Sequence, residues 1–336
     1  MTLATGVGSM PGGDPLSPEA DNARAYAEAV RTVFGELPDL RHVPELPGRG
    51  AIASMTGRAL AVVDGLPADV QPAGWRLTDA TGIDQRRARS LLAQDLDRVE
   101  EQAQGYAGPF KLQVTGPWTL AATVEKPRGD KVLADHGARR DLAQGLAEGM
   151  LAHVADVRRR VPGASELLVQ VDEPALPAVL GGQVPTASGY GRHRVVQPPE
   201  ASEALATVFA AVEEAGGVPL VHSCAPGFPI GLVRGAGARG ISVDLAVLDA
   251  ASYDPLAEAV EAGERVLLGA VPSVDPATAP TAKSVTERVH RLLEMLGLEP
   301  TPGLVVTPAC GLAGASAAWA RSALDLARQA ARDVDS

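Results

Sequence analysis

Eight short apolar runs typical of buried β-strands recur along the chain, and longer patterns typical of helices separate most of them. The predicted strands cover residues 5–10, 42–46, 110–115, 167–172, 218–222, 240–244, 265–269 and 303–307. The clearest predicted helices cover residues 18–34, 85–104, 139–161, 201–215, 255–262, 281–296 and 314–332. Strands that alternate with helices indicate parallel strands joined by crossover connections. Eight such units predict an α/β fold of the closed (β/α)₈ or TIM-barrel type.

Three segments are longer than a minimal barrel requires. They cover residues 47–82, 120–137 and 176–200, after the second, third and fourth predicted strands. Since loops that follow barrel strands gather at the carboxyl-terminal face, where barrel enzymes place their sites, we expect these extended loops there. The third contains Gly181-Gly182 and Pro198-Pro199, which fits either a flexible lid or an irregular surface loop. No Gly/Ser-rich or charged linker divides the chain, so we expect one domain over residues 1–336.

Composition and charge exclude several classes of protein. The 336 residues are 46% hydrophobic and 21% charged, unlike long disordered or fibrous chains. A formal net charge of −11 leaves no global basic surface for nucleic acid. No apolar run approaches the roughly 18–20 residues of a membrane helix, and the N-terminus lacks the pattern of a secretory signal. Two cysteines cannot form a disulfide framework. We therefore expect a cytoplasmic protein that binds neither nucleic acid nor membranes.

Candidate metal ligands follow three of the predicted strands. His222 and Cys224 come at the end of the fifth strand, and Cys310 comes just after the eighth. Because the strand ends of a barrel converge on one mouth, these residues can share a metal. Two thiolates and an imidazole suit Zn²⁺, and Asp244 at the end of the sixth strand is the natural carboxylate candidate. Buried free cysteines without any metal are the alternative.

Polar residues also end the first four predicted strands, where a barrel core does not require them. They are Ser9, Glu45, Thr115, and Asp172 with Glu173. Such residues often cap the loops and helices that follow a strand. Alternatively, carboxylates that cluster beside a metal could bind the ammonium group of an amino acid.

Five segments of the chain occur in an order that is specific to one family. They are Val7-Gly8-Ser9-Met10-Pro11, Val114-Thr115-Gly116-Pro117, Val169-Gln170-Val171-Asp172-Glu173-Pro174-Ala175-Leu176, Val221-His222-Ser223-Cys224 and Pro308-Ala309-Cys310-Gly311-Leu312. With these segments the sequence resembles the C-terminal catalytic barrel of cobalamin-independent methionine synthase. The resemblance implies a barrel with a catalytic zinc ion. It also implies methyl transfer from a folate to homocysteine, a step of methionine biosynthesis.

The resemblance also implies roles for individual residues. Carried over by position, the zinc ligands are His222, Cys224 and Cys310, with Asp244 at the position of the family's glutamate. Ser9, Glu45 and Asp172 fall where the family holds the amino-acid part of homocysteine.

The chain departs from the family pattern on the side of the methyl donor. The family's proton-donating Asp-x-His pair aligns with Pro272-Ser273-Val274, and Asp275 is the nearest acid. The segment that matches the catalytic barrel begins near residue 7, without the family's N-terminal barrel. We assign no catalytic acid, and the donor is either a methyl folate or a methylcorrinoid, whose leaving cobalt needs no proton. Two alternatives stay open. One is a non-catalytic zinc or amino-acid binding homologue, and the other is a decarboxylase of the wider superfamily that uses Arg192 and Arg194.

Overall fold

Eight parallel strands form the central sheet of the computed structural model, which describes residues 1–335. These strands are β1 (Leu3–Ala4), β2 (Arg41–His42), β5 (Gly108–Thr115), β6 (Ala164–Asp172), β7 (Val218–Ser223), β8 (Gly240–Asp244), β9 (Arg265–Val271) and β10 (Leu304–Pro308). Their order in the sheet is β1-β10-β9-β8-β7-β6-β5-β2. Two further strands, β3 (Ala68–Gln71) and β4 (Gly74–Leu77), form a separate antiparallel hairpin.

The sheet closes on itself between β1 and β2. Beyond the regular ladders, Ser9 and Glu45 form a parallel bridge, in which Glu45 N donates to Gly8 O over 3.1 Å and Met10 N donates to Glu45 O over 2.8 Å. The predicted (β/α)₈ barrel is therefore confirmed. The first predicted strand, residues 5–10, follows β1 instead of coinciding with it, and the second shares only His42 with β2. Beyond these two short strands, side chains take the place of a neighbouring strand and hydrogen-bond the carbonyls of Val7 and Val43 at this seam.

Helices surround the sheet and carry most of the predicted helical segments. They are α1 (Glu19–Glu36), α2 (Met55–Val62), α3 (Ile83–Gln102), α4 (Pro117–Thr123), α5 (His136–Arg160), α6 (Leu176–Leu180), α7 (Pro198–Glu214), α8 (Ile230–Gly235), α9 (Ala250–Glu261), α10 (Ala282–Leu296) and α11 (Ala317–Val334). The seven predicted helices correspond to α1, α3, α5, α7, α9, α10 and α11. The four that the sequence did not predict have eight residues or fewer, too few to show a helical period. Within residues 1–335 no helix is long and apolar enough to cross a membrane.

The long loops after β2, β5 and β6 are present and partly structured. The segment 47–82 holds α2 and the hairpin, and the segment 176–200 holds α6 and a bridge between Pro185 and Arg192. His193 is buried, and its Nε2 lies 3.2 Å from Asp130 Oδ1 in the loop after β5. This contact connects two of the extended loops to each other.

The interior of the barrel changes from apolar to polar along the strands. Leu40, Leu168, Leu220, Leu267 and Val305 form an apolar cluster separate from the main core. Because side chains of a strand alternate between faces, residues two positions further share the face of this cluster. Those positions hold His42, Gln170, His222, Gly269 and Thr307. The leucine layer is thus followed by a polar layer on the side where the strands end.

Candidate metal and substrate site

His222, Cys224 and Cys310 meet at the carboxyl-terminal end of the barrel. His222 lies in β7, Cys224 follows that strand directly, and Cys310 follows β10. One imidazole nitrogen and the two sulfurs lie within 4.8 Å of one another, and the two Sγ atoms are 2.7 Å apart with both thiols free. Among residues 1–335, these are the three side chains whose grouping could hold a metal ion.

The imidazole of His222 has one nitrogen bonded and one free. Nδ1 lies 2.9 Å from the Ser242 hydroxyl, whereas Nε2 is buried and has no hydrogen-bond partner in the described part of the chain. A buried polar atom without a partner is costly. A histidine that ligates a metal through one nitrogen usually hydrogen-bonds through the other. The donor set and the unpartnered nitrogen therefore fit a zinc ion.

Asp244 lies near the thiols but outside this group of three. It ends β8, and its Oδ1 accepts a hydrogen bond of 2.8 Å from Ala246 N. The contact with Cys310 lowers the pKa of Cys224, while burial and the charge of Asp244 act in the opposite direction. That Asp244 is the fourth metal ligand stays a prediction.

Of the three residues predicted to hold an amino acid, Ser9 and Glu45 lie beyond the ends of β1 and β2, and Asp172 ends β6. Ser9 and Glu45 are paired by the bridge that closes the barrel, and Asp172 is aligned with His222 of the neighbouring strand. Burial raises the pKa of Asp172 to about 6, and the nearby charge of Glu45 adds to the rise. Two buried carboxyl groups thus lie at the mouth of the barrel, and Asp172 is directly beside His222 of the candidate metal site.

Gly311 connects the two halves of the site. A Cβ atom at this position would lie only 2.0 Å from Ser9 Oγ, so a larger residue there would displace the Ser9 hydroxyl. Leu312 N also donates to Ser9 O over 2.8 Å. The segment that carries Cys310 is therefore packed directly against the end of β1.

A family comparison agrees with this geometry. The family model described as "Cobalamin-independent synthase, Catalytic domain" matches residues 109–333, well over half of the chain. The chain belongs to the cobalamin-independent methionine synthase family. The resemblance predicted from the sequence is thereby confirmed.

The chain is similar to solved structures, and the match with the higher TM-score of the two named here shows the fold. A B12-independent methionine synthase from Shewanella sp. W3-18-1, solved in complex with selenomethionine, is 14% identical with a TM-score of 0.64. The match covers 99% of this chain and 98% of that one. D-psicose 3-epimerase from Clostridium cellulolyticum H10 is more distant, at 11% identity and a TM-score of 0.38, covering 72% of this chain and 82% of that one. No curated protein matches the sequence.

Three buried residues of the synthase barrel were not predicted as part of the site. Lys111, Gln113 and Gln170 lie directly below the predicted substrate residues, and Lys111 is fully buried. Its Nζ donates to Val7 O (2.8 Å), Gln170 Oε1 (3.0 Å) and Gln113 Oε1 (3.3 Å). The available signal was the alternation of polar residues at 111, 113 and 115 within an otherwise buried strand.

Glu173 and Thr115 have structural contacts, as the capping interpretation expects. The Glu173 carboxylate accepts bonds of 2.7–2.9 Å from Trp118 N, Thr119 N and the Thr119 hydroxyl at the start of α4. Burial raises the pKa of Glu173 to about 7 against these hydrogen bonds. A Cβ atom at Gly116 would lie 2.3 Å from Glu173 Oε1, so glycine is required at this approach. Thr115 Oγ1 donates to Met55 O over 2.8 Å and anchors the loop after β2.

The segment after β9 does not supply the acid pair of the synthase family. Pro272 O accepts a bond of 3.1 Å from Trp319 Nε1. Asp275 accepts bonds from Ser316 N (2.7 Å) and Ser316 Oγ (2.6 Å) where α11 begins. These bonds lower the pKa of Asp275, which makes this exposed carboxyl group a poor proton donor. The two arginines of the decarboxylase alternative, Arg192 and Arg194, are exposed on the 176–200 segment.

Proposed function

We propose that this protein is a zinc-dependent methyltransferase that converts homocysteine to methionine. Membership of the synthase family supports methyl transfer. The observation that carries the zinc part of the proposal is the buried, unpartnered Nε2 of His222, within a group whose donor atoms, including both thiol sulfurs, lie within 4.8 Å of one another. His222, Cys224 and Cys310 would hold the ion, with Asp244 as the proposed fourth ligand.

With a zinc ion held by these residues, a substrate thiol that joined the ligands would be favoured in its deprotonated, nucleophilic form. The chain's own residues orient the rest of the substrate. In this proposal Glu45 and Asp172 accept hydrogen bonds from the α-ammonium group, and the Ser9 hydroxyl contacts the amino-acid end. Two buried carboxylates attract a cation more strongly than exposed ones, because protein surroundings screen charge less than water does. Fixing the amino-acid end holds the sulfur in one position relative to the methyl donor.

We propose further that a methylcorrinoid is a better donor than a methyl folate. The homocysteine sulfur attacks the methyl carbon, and the bond to the donor breaks with its electron pair left on the donor. A folate nitrogen must gain a proton as it leaves, and a missing general acid commonly costs about 10²- to 10⁴-fold in rate. Asp275 is engaged with Ser316, and a corrinoid cobalt needs no proton.

The proposed function is tested on purified protein by zinc content and by turnover. We expect about one zinc per chain, lost in Cys310→Ser and retained in the neighbouring control Ser223→Ala. Homocysteine methylation is assayed with methylcobalamin and with methyltetrahydrofolate side by side. Product from methylcobalamin supports the proposal. Turnover with methyltetrahydrofolate above about 1 s⁻¹, an ordinary enzymatic rate, would overturn the donor assignment. Zinc binding without methylation by either donor would favour a non-catalytic binding protein.

A further inference from the structure

The polar layer beneath the predicted substrate residues, with Lys111 and Gln113 of β5 counted as part of it, contains a hydrogen-bonded network of side chains. Lys111 Nζ donates to Gln170 Oε1 over 3.0 Å, and Gln170 Nε2 donates to Asp172 Oδ1 over 2.7 Å. Gln170 and Lys111 are fully buried, and Asp172 is 9% exposed. This network of hydrogen-bonded side chains runs from the centre of the barrel to a carboxylate at its mouth.

The lysine determines which way the glutamine amide faces. An ammonium group can only donate hydrogen bonds, so the end of the amide that contacts Lys111 must be the carbonyl oxygen. The opposite end, Nε2, then faces Val7 O at 2.9 Å and Asp172 Oδ1 at 2.7 Å. Both of these groups are acceptors, so each contact in the network joins a donor to an acceptor.

From this arrangement we infer that Gln170, anchored by Lys111, is a positioning residue that fixes the Asp172 carboxylate for the ammonium group of an amino-acid substrate. The inference rests on the proposed function, since it assigns the support of the same ammonium site. Gln170 occupies one carboxylate oxygen, Oδ1, and holds the plane of the group. A substrate ammonium then meets Oδ2 in one orientation rather than an average of several.

The same layer also has a purely structural role, and the test must distinguish this role from the positioning of Asp172. Lys111 and Gln170 satisfy the carbonyl of Val7, and Gln113 Nε2 satisfies the carbonyl of Val43 over 2.8 Å. These two carbonyls lie at the seam between β1 and β2. A role in closing the seam alone would affect every ligand of the mouth equally, whereas positioning of Asp172 affects only ligands that carry an ammonium group.

The chain offers a matched pair of variants for this distinction. Gln170→Met removes the bond to Asp172, one of the two side-chain bonds to Val7 O and the bond from Lys111. Gln113→Met removes a glutamine from the same layer. Like Gln170, Gln113 contacts Lys111 and hydrogen-bonds a carbonyl at the seam, but it has no bond to Asp172. Lys111→Met is the third variant, and it removes the three bonds that the ammonium group donates while leaving Gln170 in place.

The effects should differ in size. Gln170→Met should weaken methionine binding about tenfold or more, because it loses a hydrogen bond to a charged group. Lys111→Met should weaken it less, because the amide keeps its bond to Val7 O and the loss of a nearby positive charge favours a bound ammonium. Gln113→Met should change it by less than about threefold.

The experiment measures dissociation constants of methionine and of 4-(methylsulfanyl)butanoate, which lacks the amino group, by calorimetry on the zinc-loaded protein. We expect Gln170→Met to weaken methionine selectively, with zinc content unchanged. Equal weakening of both ligands, or equal effects of Gln170→Met and Gln113→Met, would overturn the inference and leave the proposed function standing. If the wild-type protein binds neither methionine nor homocysteine, the proposed function fails, and the inference fails with it because no ammonium site exists.

Discussion

Replacing Arg58 with methionine should leave a buried carboxylate beside the substrate site without its partner. Arg58 Nε donates to Glu45 Oε1 over 3.0 Å, and Nη1 donates to Asp95 Oδ2 over 2.9 Å. All three side chains are at most 10% exposed, so water cannot replace the guanidinium without rearrangement. Asp95 keeps its two bonds of 2.7 and 2.8 Å from Arg49, whereas Glu45 loses its bond to Arg58.

The cost follows from leaving one charge of a buried pair unpaired. Removing one partner of such a pair typically destabilises a protein by about 3–5 kcal/mol. This is a large part of a typical folding free energy of about 5–15 kcal/mol. Adding Glu45→Gln to Arg58→Met removes the unpaired charge, so the double variant should be less destabilised than the sum of the two single variants. For residues in direct contact, this coupling amounts to about 0.5–3 kcal/mol.

Urea unfolding followed by tryptophan fluorescence measures these differences. The matched control is Arg31→Met, since Arg31 pairs with Glu28 at the surface, where both side chains are 56% exposed. An exposed pair contributes about 0–1 kcal/mol, so the control should unfold almost like the wild type. If Arg58→Met costs no more than Arg31→Met, or if the effects of Arg58→Met and Glu45→Gln simply add, the buried pair does not stabilise the fold as argued.

Two further predictions concern carboxylates around the mouth. Because burial raises the pKa of Glu173 to about 7, the folded state binds a proton that the unfolded state releases between about pH 4.5 and 7. The free energy of unfolding should therefore fall as the pH rises through this range, by about 3 kcal/mol at most. Glu173→Gln should flatten this dependence in urea unfolding at several pH values, and an unchanged dependence would contradict the assignment. If Asp244 completes the metal site, Asp244→Ala should weaken zinc affinity on the order of tenfold or more, measured by competition with a chelator. Asp275→Asn is the control. Equal zinc affinities of Asp244→Ala and the wild type would remove Asp244 from the ligand set.

Most of the strands and the candidate metal-binding residues were predictable from the sequence. A parallel strand covered on both faces appears as a continuous apolar run, and the predicted bounds of β8 agree with the structure, Gly240–Asp244. His222, Cys224 and Cys310 could be grouped without coordinates, because a barrel brings all strand ends to one face. What the pattern could not determine is which residue completes the group.

The hairpin and the supporting residues of the site were missed for a different reason. Strands β3 and β4 have four residues each, within a segment that reads as a long loop. Two of the three partners of Lys111, Gln170 and Val7, lie 59 and 104 positions away along the chain. Its role depends on the closure of the barrel between β1 and β2, which no local window contains. Arg58 is similar, because the sequence does not show which of the many carboxylates it meets.

The segments by which the chain resembles its family are one set of contacts in the folded protein. Gln170 donates to the carbonyl of Val7, and Asp172 is aligned with His222. In the same way, Glu173 accepts from the start of α4, directly after Gly116, and Gly311 leaves room for Ser9. Each segment therefore satisfies a polar group or fills a space that another one leaves. A barrel mouth that holds carboxylates and thiols in a low-dielectric setting needs such mutual satisfaction, since each unpaired polar group there costs about 1–3 kcal/mol. This explains why the matching segments, far apart in sequence, occur together in one chain.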